Sequence, residues 1–287
     1  EHPAVAECCA RLAAEGFEVV ALRPEGGRIR PEQVFGAVTP DTILVSMMAV
    51  NNETGDRLPI DAVAPAIRRA GAPALFHCDG VQAFGKQTLI PGRLGIDLLA
   101  VSAHKLYGPK GAGALYIRRG ARILPQLAGG GQERGLRSGT ENLPGIAGFA
   151  AAAREMMNGN AEMRDSLMQK KLGMIRAFQQ AVPESAINGP DPESAAPHIV
   201  NMRFPGVRGE VMLHALEAEN VYASTGSACS SKKLKVSGVL TAMGIPGAEA
   251  ECSLRFSLSP HTTEEEIREA AAALKKCYSL LKGYKRR

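Results

Sequence analysis

The hydrophobic and polar positions along the chain repeat a rhythm of short apolar run, polar turn and amphipathic stretch. Val5, Cys8 or Cys9 and Leu12 mark one face of a helix from Pro3 to Glu15 that Gly16 closes. Phe17-Glu18-Val19-Val20-Ala21-Leu22 then reads as a strand, and a second short helix is expected after the loop through Pro31. The run Thr42-Ile43-Leu44-Val45-Ser46-Met47-Met48 reads as a strand that ends at a polar turn, Asn51-Asn52-Glu53-Thr54-Gly55. A helix from about Ile60 to Ala70, broken by Gly71 and Pro73, leads to the strand Ala74-Leu75-Phe76-His77-Cys78, which delivers Asp79-Gly80-Val81-Gln82. Two further apolar runs, Ile96 to Val101 and Gly111 to Ile117, enclose Ser102-Ala103-His104-Lys105-Leu106-Tyr107-Gly108-Pro109-Lys110. Strands that alternate with helices and lack polar alternation predict a mostly parallel sheet covered by helices on both faces. Ligands collect beyond the carboxyl ends of such strands, where the asparagines, Asp79, Gln82 and Lys105 fall.

The later chain reads differently. Helices are expected from Leu143 to Met157 and from Ala161 to Ala181, the second with Met163, Leu167, Met174 and Phe178 on one core face. A proline-rich connector runs to Pro197, and His198 to Phe204 reads as a strand, Gly209 to Glu219 as a helix and Val221 to Ser224 as extended. Glu251 to Leu258 is the last strand, and Thr263-Glu264-Glu265-Glu266 is a capping box opening a final helix with Ile267, Ala271, Leu274, Tyr278 and Leu281 inward. The organisation expected is therefore a large α/β domain over residues 1–157 and a smaller α+β domain over 158–287.

Composition narrows the function classes. With 45% apolar and 22% charged residues in 287, the chain can bury a sizeable core, and its net charge of +5 is mild. No basic stripe with interleaved aromatics points to nucleic acid, and no run of 18 apolar residues points to a membrane span. The six cysteines form no C-x-x-C pair and sit near no zinc-spaced histidines, so neither a disulfide framework nor an intrinsic metal is expected. A reducing cytoplasm fits that usage, with most cysteines as small core residues.

Lys105 stands where a loop opens between two buried strands, a place where lost hydration makes an amine available as nucleophile or base; a strand-end lysine facing water is the alternative. A carboxylate at a neighbouring strand end, Asp79, lies one strand-helix-strand excursion earlier. That pairing is what a pyridoxal phosphate enzyme needs, since the carboxylate keeps the pyridine nitrogen protonated. The glycine-rich stretch Gly129 to Asn142 offers backbone amides, two arginines and hydroxyls to an anion, or serves as a surface loop. Cys229 sits in a loop of small residues ahead of Lys232, Lys233 and Lys235, whose charge favours a thiolate.

Seven motifs together resemble the cysteine desulfurases, class V members of the aminotransferase-like fold: Glu1-His2-Pro3-Ala4-Val5, Val50 to Gly55, Asp79 to Gln82, Ser102 to Lys105, Arg134 to Thr140, Ser227-Ala228-Cys229 and Ser253 to Ser257. The resemblance implies a homodimer that removes sulfur from L-cysteine, gives L-alanine and leaves a persulfide on Cys229. His2 would stack on the cofactor ring, Asp79 would pair with its nitrogen, and Gln82 and Asn52 would bond near its hydroxyl. Lys105 would carry the cofactor and move the substrate's α-proton. Ser102 and His104 would contact the phosphate, and Thr140 the phosphate of the neighbouring subunit. Arg255 would clamp the substrate carboxylate, beside Asn52; an arginine pairing across a sheet is the plainer alternative. Cys229 would pass sulfur to an iron–sulfur scaffold or a tRNA-thiolation protein, and could transiently ligate a cluster.

Family members carry a further segment before the histidine motif, with a Gly-Thr-Glu turn that binds phosphate, so the sequence is expected to be a truncated form. Competing readings are a selenocysteine lyase or another class V aminotransferase, and a non-catalytic sulfur-trafficking scaffold.

Overall fold

The computed structural model describes residues 1–158, 160–226 and 236–283. The chain divides into two compact units. The first comprises Glu1, residues 31–49 and 59–160; the second comprises residues 2–30, 50–58 and 161–287. One division falls between residues 160 and 161, and residues 2–30 and 50–58 group with the C-terminal half. Local bonds explain this: Ala196 N–H donates to Gly55 O at 2.8 Å, and Arg28 pairs with Asp56 at 3.1 Å. Gly55 has φ +76 and a Cβ there would lie 3.0 Å from Ile199 O, so the turn packs directly on the strand that begins at Ile199.

In the first unit, α2 (Pro31–Ala37) and β1 (Leu44–Met48) are followed by α3 (Val63–Ala70), which the 3₁₀ turn Ile60–Ala62 introduces. Then come β2 (Leu75–Asp79), α4 (Pro91–Leu94), β3 (Leu98–Ser102), β4 (Gly113–Ile117) and α5 (Leu143–Met157). Numbering counts α1 (Pro3–Ala14) of the second unit first. The sheet order is β1-β2-β3-β4, parallel through β3, with β4 antiparallel to β3. The fold is α/β with a mostly parallel sheet flanked by helices, as the apolar runs predict. Asp97 helps hold the sheet together: Phe76 N–H donates to its Oδ2 at 2.7 Å, and Arg118 pairs with its other oxygen.

The second unit has α6 (Asn160–Ala181), β5 (Ala186–Asn188), β6 (Ile199–Arg203), α7 (Gly209–Ala218), α8 (Gly238–Ala242), α9 (Gly247–Ala250), β7 (Ser253–Ser257) and α10 (Glu264–Gly283). Its three strands form an antiparallel sheet, β5-β6-β7. Leu167, Met174 and Phe178 of α6 join Met202, Phe204, Leu216, Leu254, Phe256 and Leu274 in one buried cluster. The capping box is present: Glu266 N–H donates to Thr263 Oγ1 at 3.1 Å and Thr263 N–H to Glu266 Oε2 at 2.7 Å.

One expected strand does not form. Phe17 to Leu22 has no ladder, and Phe17, Val19 and Val20 are exposed at 48%, 42% and 62%. An apolar run becomes a strand only when a neighbouring strand takes its backbone donors and acceptors; here no strand among the described residues pairs with the run, and Phe17 N–H donates to Leu12 O of α1 at 3.1 Å. Among the described cysteines, all are free thiols; Cys78 and Cys277 are buried, whereas Cys8 is exposed on α1 and not in a core. No helix among the described residues is long and apolar enough to cross a membrane.

Candidate active site

In the first unit the sheet brings five of the singled-out residues to one end. The register sets Asp79, the last residue of β2, opposite Ala100 of the parallel β3, which ends two residues later at Ser102. Asp79 is 8% exposed, and Val81 N–H donates to its Oδ1 at 2.9 Å, which orients the carboxylate without saturating its acceptors. Gly80 follows because a Cβ there would lie 2.6 Å from Leu99 Cδ1. The backbone then turns, Ala83 and Phe84 both donating to Gly80 O, and buries Gln82.

Past the end of β3 the chain winds into the 3₁₀ turn Ala103–Leu106, which carries His104 and Lys105. Tyr107 ends that turn in the left-handed region with φ 64, a conformation that costs a tyrosine about 1 kcal/mol or more and re-aims the chain towards β4. Ser102 Oγ and His104 Nδ1 lie 2.7 Å apart, so these two polar side chains form one pair. Burial, then the charges of Lys105 and Lys110, hold His104 below the ordinary histidine range. Lys86, absent from the sequence reading, lies on the turn that follows Asp79 and donates to the carbonyl of Lys105 at 2.6 Å. His77 lies two residues before Asp79 on the same strand, 2.8 Å from Ser46 Oγ, and burial lowers its pKa. Thr140 sits apart, exposed in the loop 129–142, where Gly139 N–H donates to Gln132 Oε1 at 3.0 Å.

In the second unit, Asn52 and Arg255 meet: Arg255 Nη1 donates to Asn52 O at 3.0 Å. The asparagine turn is built by Asn51, whose Oδ1 accepts from Glu53 N–H at 2.9 Å and Thr54 N–H at 3.0 Å. Arg255 on β7 also exchanges backbone hydrogen bonds with Ser224, tying the stretch before residue 227 to the sheet. Glu53 is a second residue that sequence reasoning quoted without a role. Burial raises its pKa, opposed by the Ser237 hydroxyl that donates to Oε2 and by the Arg255 charge. A Cβ on Gly226 would strike that same carboxylate. His2 is the N-cap of α1, its Nδ1 accepting from Ala4 N–H at 3.1 Å, which leaves the ring proton on Nε2 when the imidazole is neutral. Cys229 lies outside the described residues.

The donor set in the first unit fits pyridoxal phosphate. A buried, acceptor-only carboxylate suits a protonated ring nitrogen, and a lysine on the turn ending the neighbouring strand can bond the aldehyde carbon. Two cysteines are ruled out as reactive thiols: burial, with Asp79 and Glu1 nearby, pushes Cys78 up to about 12, and burial raises Cys277 as well.

A parallel sheet with lysine and carboxylate at adjacent strand ends defines a class, and residues 1–269 match the aminotransferase class-V family model. The chain belongs to that family, whose members are pyridoxal phosphate enzymes. Among curated proteins it is 43% identical over 272 residues to a cysteine desulfurase IscS of Anaeromyxobacter dehalogenans, an alignment covering 93% of this chain and 66% of that one. A solved NifS-like protein superposes with a TM-score of 0.90 at 34% identity, covering 98% of this chain and 73% of the other. SspA in complex with cysteine gives a TM-score of 0.74 at 32% identity over 92% of this chain and 72% of that one. The chain thus spans about two thirds of the length of the curated relatives it matches.

Proposed function

We propose that this chain carries the machinery of a cysteine desulfurase, which moves sulfur from L-cysteine to Cys229 and releases L-alanine. The observation that carries the reading is that Lys105 follows the end of β3 while Asp79 ends β2, the adjacent parallel strand. The relatives named cysteine desulfurase support it, and the solved relative that holds cysteine supports that substrate.

Pyridoxal phosphate, when bound, supplies an electron sink for charge that develops at the amino acid's α-carbon. Asp79 would hold a proton on the ring nitrogen, and His2 and Gln82, with Asn52, would fix the ring's position. Ser102 and His104 would hold the phosphate, with Thr140 reaching the phosphate of a second copy in a homodimer. Arg255, already directed at the Asn52 carbonyl, would clamp the substrate carboxylate. Lys105 Nζ would take the α-proton. The Cys229 thiolate would then attack the substrate sulfur: an S–S bond forms, the C–S bond breaks with its electron pair left on the β-carbon, a proton added there makes the methyl group, and return of the α-proton from Lys105 Nζ completes alanine. The persulfide sulfur is destined for an acceptor protein in the cytoplasm; the relatives named IscS support iron–sulfur cluster assembly, and tRNA thiolation uses the same chemistry.

Alanine released from L-cysteine with added pyridoxal phosphate and a thiol reductant tests the reading. Release by the parent and none by Cys229→Ser is expected. Equal release by both would remove Cys229 from its role, and release from selenocysteine alone would replace this reading with a lyase.

A further inference from the structure

Lys86 is a lysine that the mechanism above does not use, yet it is 3% exposed. A buried ammonium is costly unless it is paired. Its hydrogen bond goes to a neutral acceptor, the carbonyl of Lys105 at 2.6 Å, and its charged neighbour is a second cation, Lys105 itself. Burial and then Lys105 lower its pKa to about 8. Such an arrangement is unfavourable for stability alone, which points to a use at Lys105.

Two contacts bring the turn of Lys86, itself closed by local bonds, against the turn of Lys105. Lys86 and Gln87 N–H both donate to Ala83 O, closing the helical turn that starts at Asp79-Gly80. Gly85, at φ +74, allows close approach: a Cβ there would lie 2.6 Å from Leu106 Cδ2. The ammonium then reaches the Lys105 carbonyl. One side chain therefore links the segment that presents Asp79 to the turn that presents Lys105.

We infer that Lys86 is a positioning residue for Lys105: its ammonium ties down the turn, and its charge favours the neutral, nucleophilic form of the Lys105 amine. The inference rests on the reading that Lys105 is the cofactor-bearing amine. Repulsion between two cations is mutual, so wherever Lys86 keeps its proton its charge disfavours the charged form of the Lys105 amine. Titratable groups among the described residues near this turn include His104 and Tyr107 on it, Lys110 after it and Asp79 at the end of the adjoining strand. α5 meets the same region through Gly148, Ala152 and Met156, none of them charged.

The test needs neither cofactor nor cysteine. Trace acetylation with acetic anhydride across pH 7 to 11, read lysine by lysine by mass spectrometry, reports how much of each amine is neutral. At pH 8 the Lys105 of the parent should be labelled more than Lys110, which serves as the comparison. Lys86→Gln, which keeps a donor without the charge, and Lys86→Met should each lower Lys105 labelling at pH 8 by about tenfold, while Lys86→Arg restores it to within about twofold. A parent Lys105 labelled at pH 8 no more than Lys110 would overturn the inference whatever the variants do. So would equal Lys105 labelling in the glutamine and arginine variants. A parent with the shifted Lys105 that makes no alanine with cofactor present would sink the desulfurase reading and leave this one standing.

Discussion

Each unit of the molecule buries a lysine, and the two make an instructive pair. Lys86 in the first unit and Lys171 in the second are 3% and 1% exposed, both pushed down to about 8, chiefly by burial, and both donate to backbone carbonyls. Lys171 satisfies two carbonyls, Pro192 O at 3.0 Å and Ala196 O at 2.9 Å, pinning the proline-rich connector to α6, with Asp191 partly offsetting the Arg57 charge. Lys86 satisfies one carbonyl, and the charge beside it is a like charge. The same residue type in the same degree of burial thus serves structure in one unit, and in our inference tunes an amine in the other.

The surroundings differ in the same sense. In the second unit a single apolar cluster joins β6 and β7 to α6, α7 and α10. In the first unit the outer strands leave Leu44, Leu115 and Tyr116 exposed, while Phe76, Leu99 and Leu106 are buried along the strands and turn that lead to Asp79 and Lys105. Stability is expected to reside mainly in one unit and cofactor chemistry mainly in the other.

Substitutions can break that contrast. The largest effect is expected from Lys105→Ala, which should cut alanine release by about 10³-fold while the thermal unfolding curve stays within a few degrees of the parent; retained turnover would end the mechanism. Next, Leu274→Ala in the buried cluster should destabilise by about 2–5 kcal/mol in denaturant titration, against about 0.5 kcal/mol or less for the exposed Leu115→Ala. Similar losses at both sites would erase the difference between the units. Lys171→Met should cost about 1–3 kcal/mol, because two carbonyls lose their donor, with turnover per folded molecule unchanged; a selective loss of turnover would make Lys171 a second functional lysine.

The smallest effect is a pH dependence. Lys86 and Lys171 have folded pKa values near 8 against an ordinary lysine value of 10.5. Below pH 8 both folded and unfolded chains hold these protons, so stability is flat. Between pH 8 and 10.5 only the unfolded chain keeps them, so stability should rise with pH, then level off. Chemical denaturation at a series of pH values checks the slope, and Lys171→Met should remove its share; a falling slope in that window would contradict the burial of both charges.

Much of this was legible in the chain. The largely apolar runs ending at Asp79 and Ser102 announced parallel strands and put the carboxylate and Lys105 at their ends, because side-chain patterning and strand termini are local properties. The Thr263-Glu266 box and the inward face of α10 were equally readable. Phe17 to Leu22 was not: the run has strand composition, but strand formation depends on a partner elsewhere. Lys86 escaped notice for a related reason. A lysine after a glycine looks solvated, and its contact with Lys105 joins residues 19 apart in sequence. Glu53 likewise looked like turn chemistry until Gly226 and Ser237 were found against its carboxylate.

By itself, then, the sequence determined the order of elements, the strand-end positions of Asp79 and Lys105, and the motif set of the class V family, since these depend on residue type and spacing along one chain. Only the tertiary structure decided that residues 50–58 belong with the C-terminal half, that Arg255 meets Asn52, and that Lys86 sits against Lys105. Those facts arise from burial and hydrogen bonds between segments distant in sequence, where a buried polar group must find whichever partner the fold brings to it.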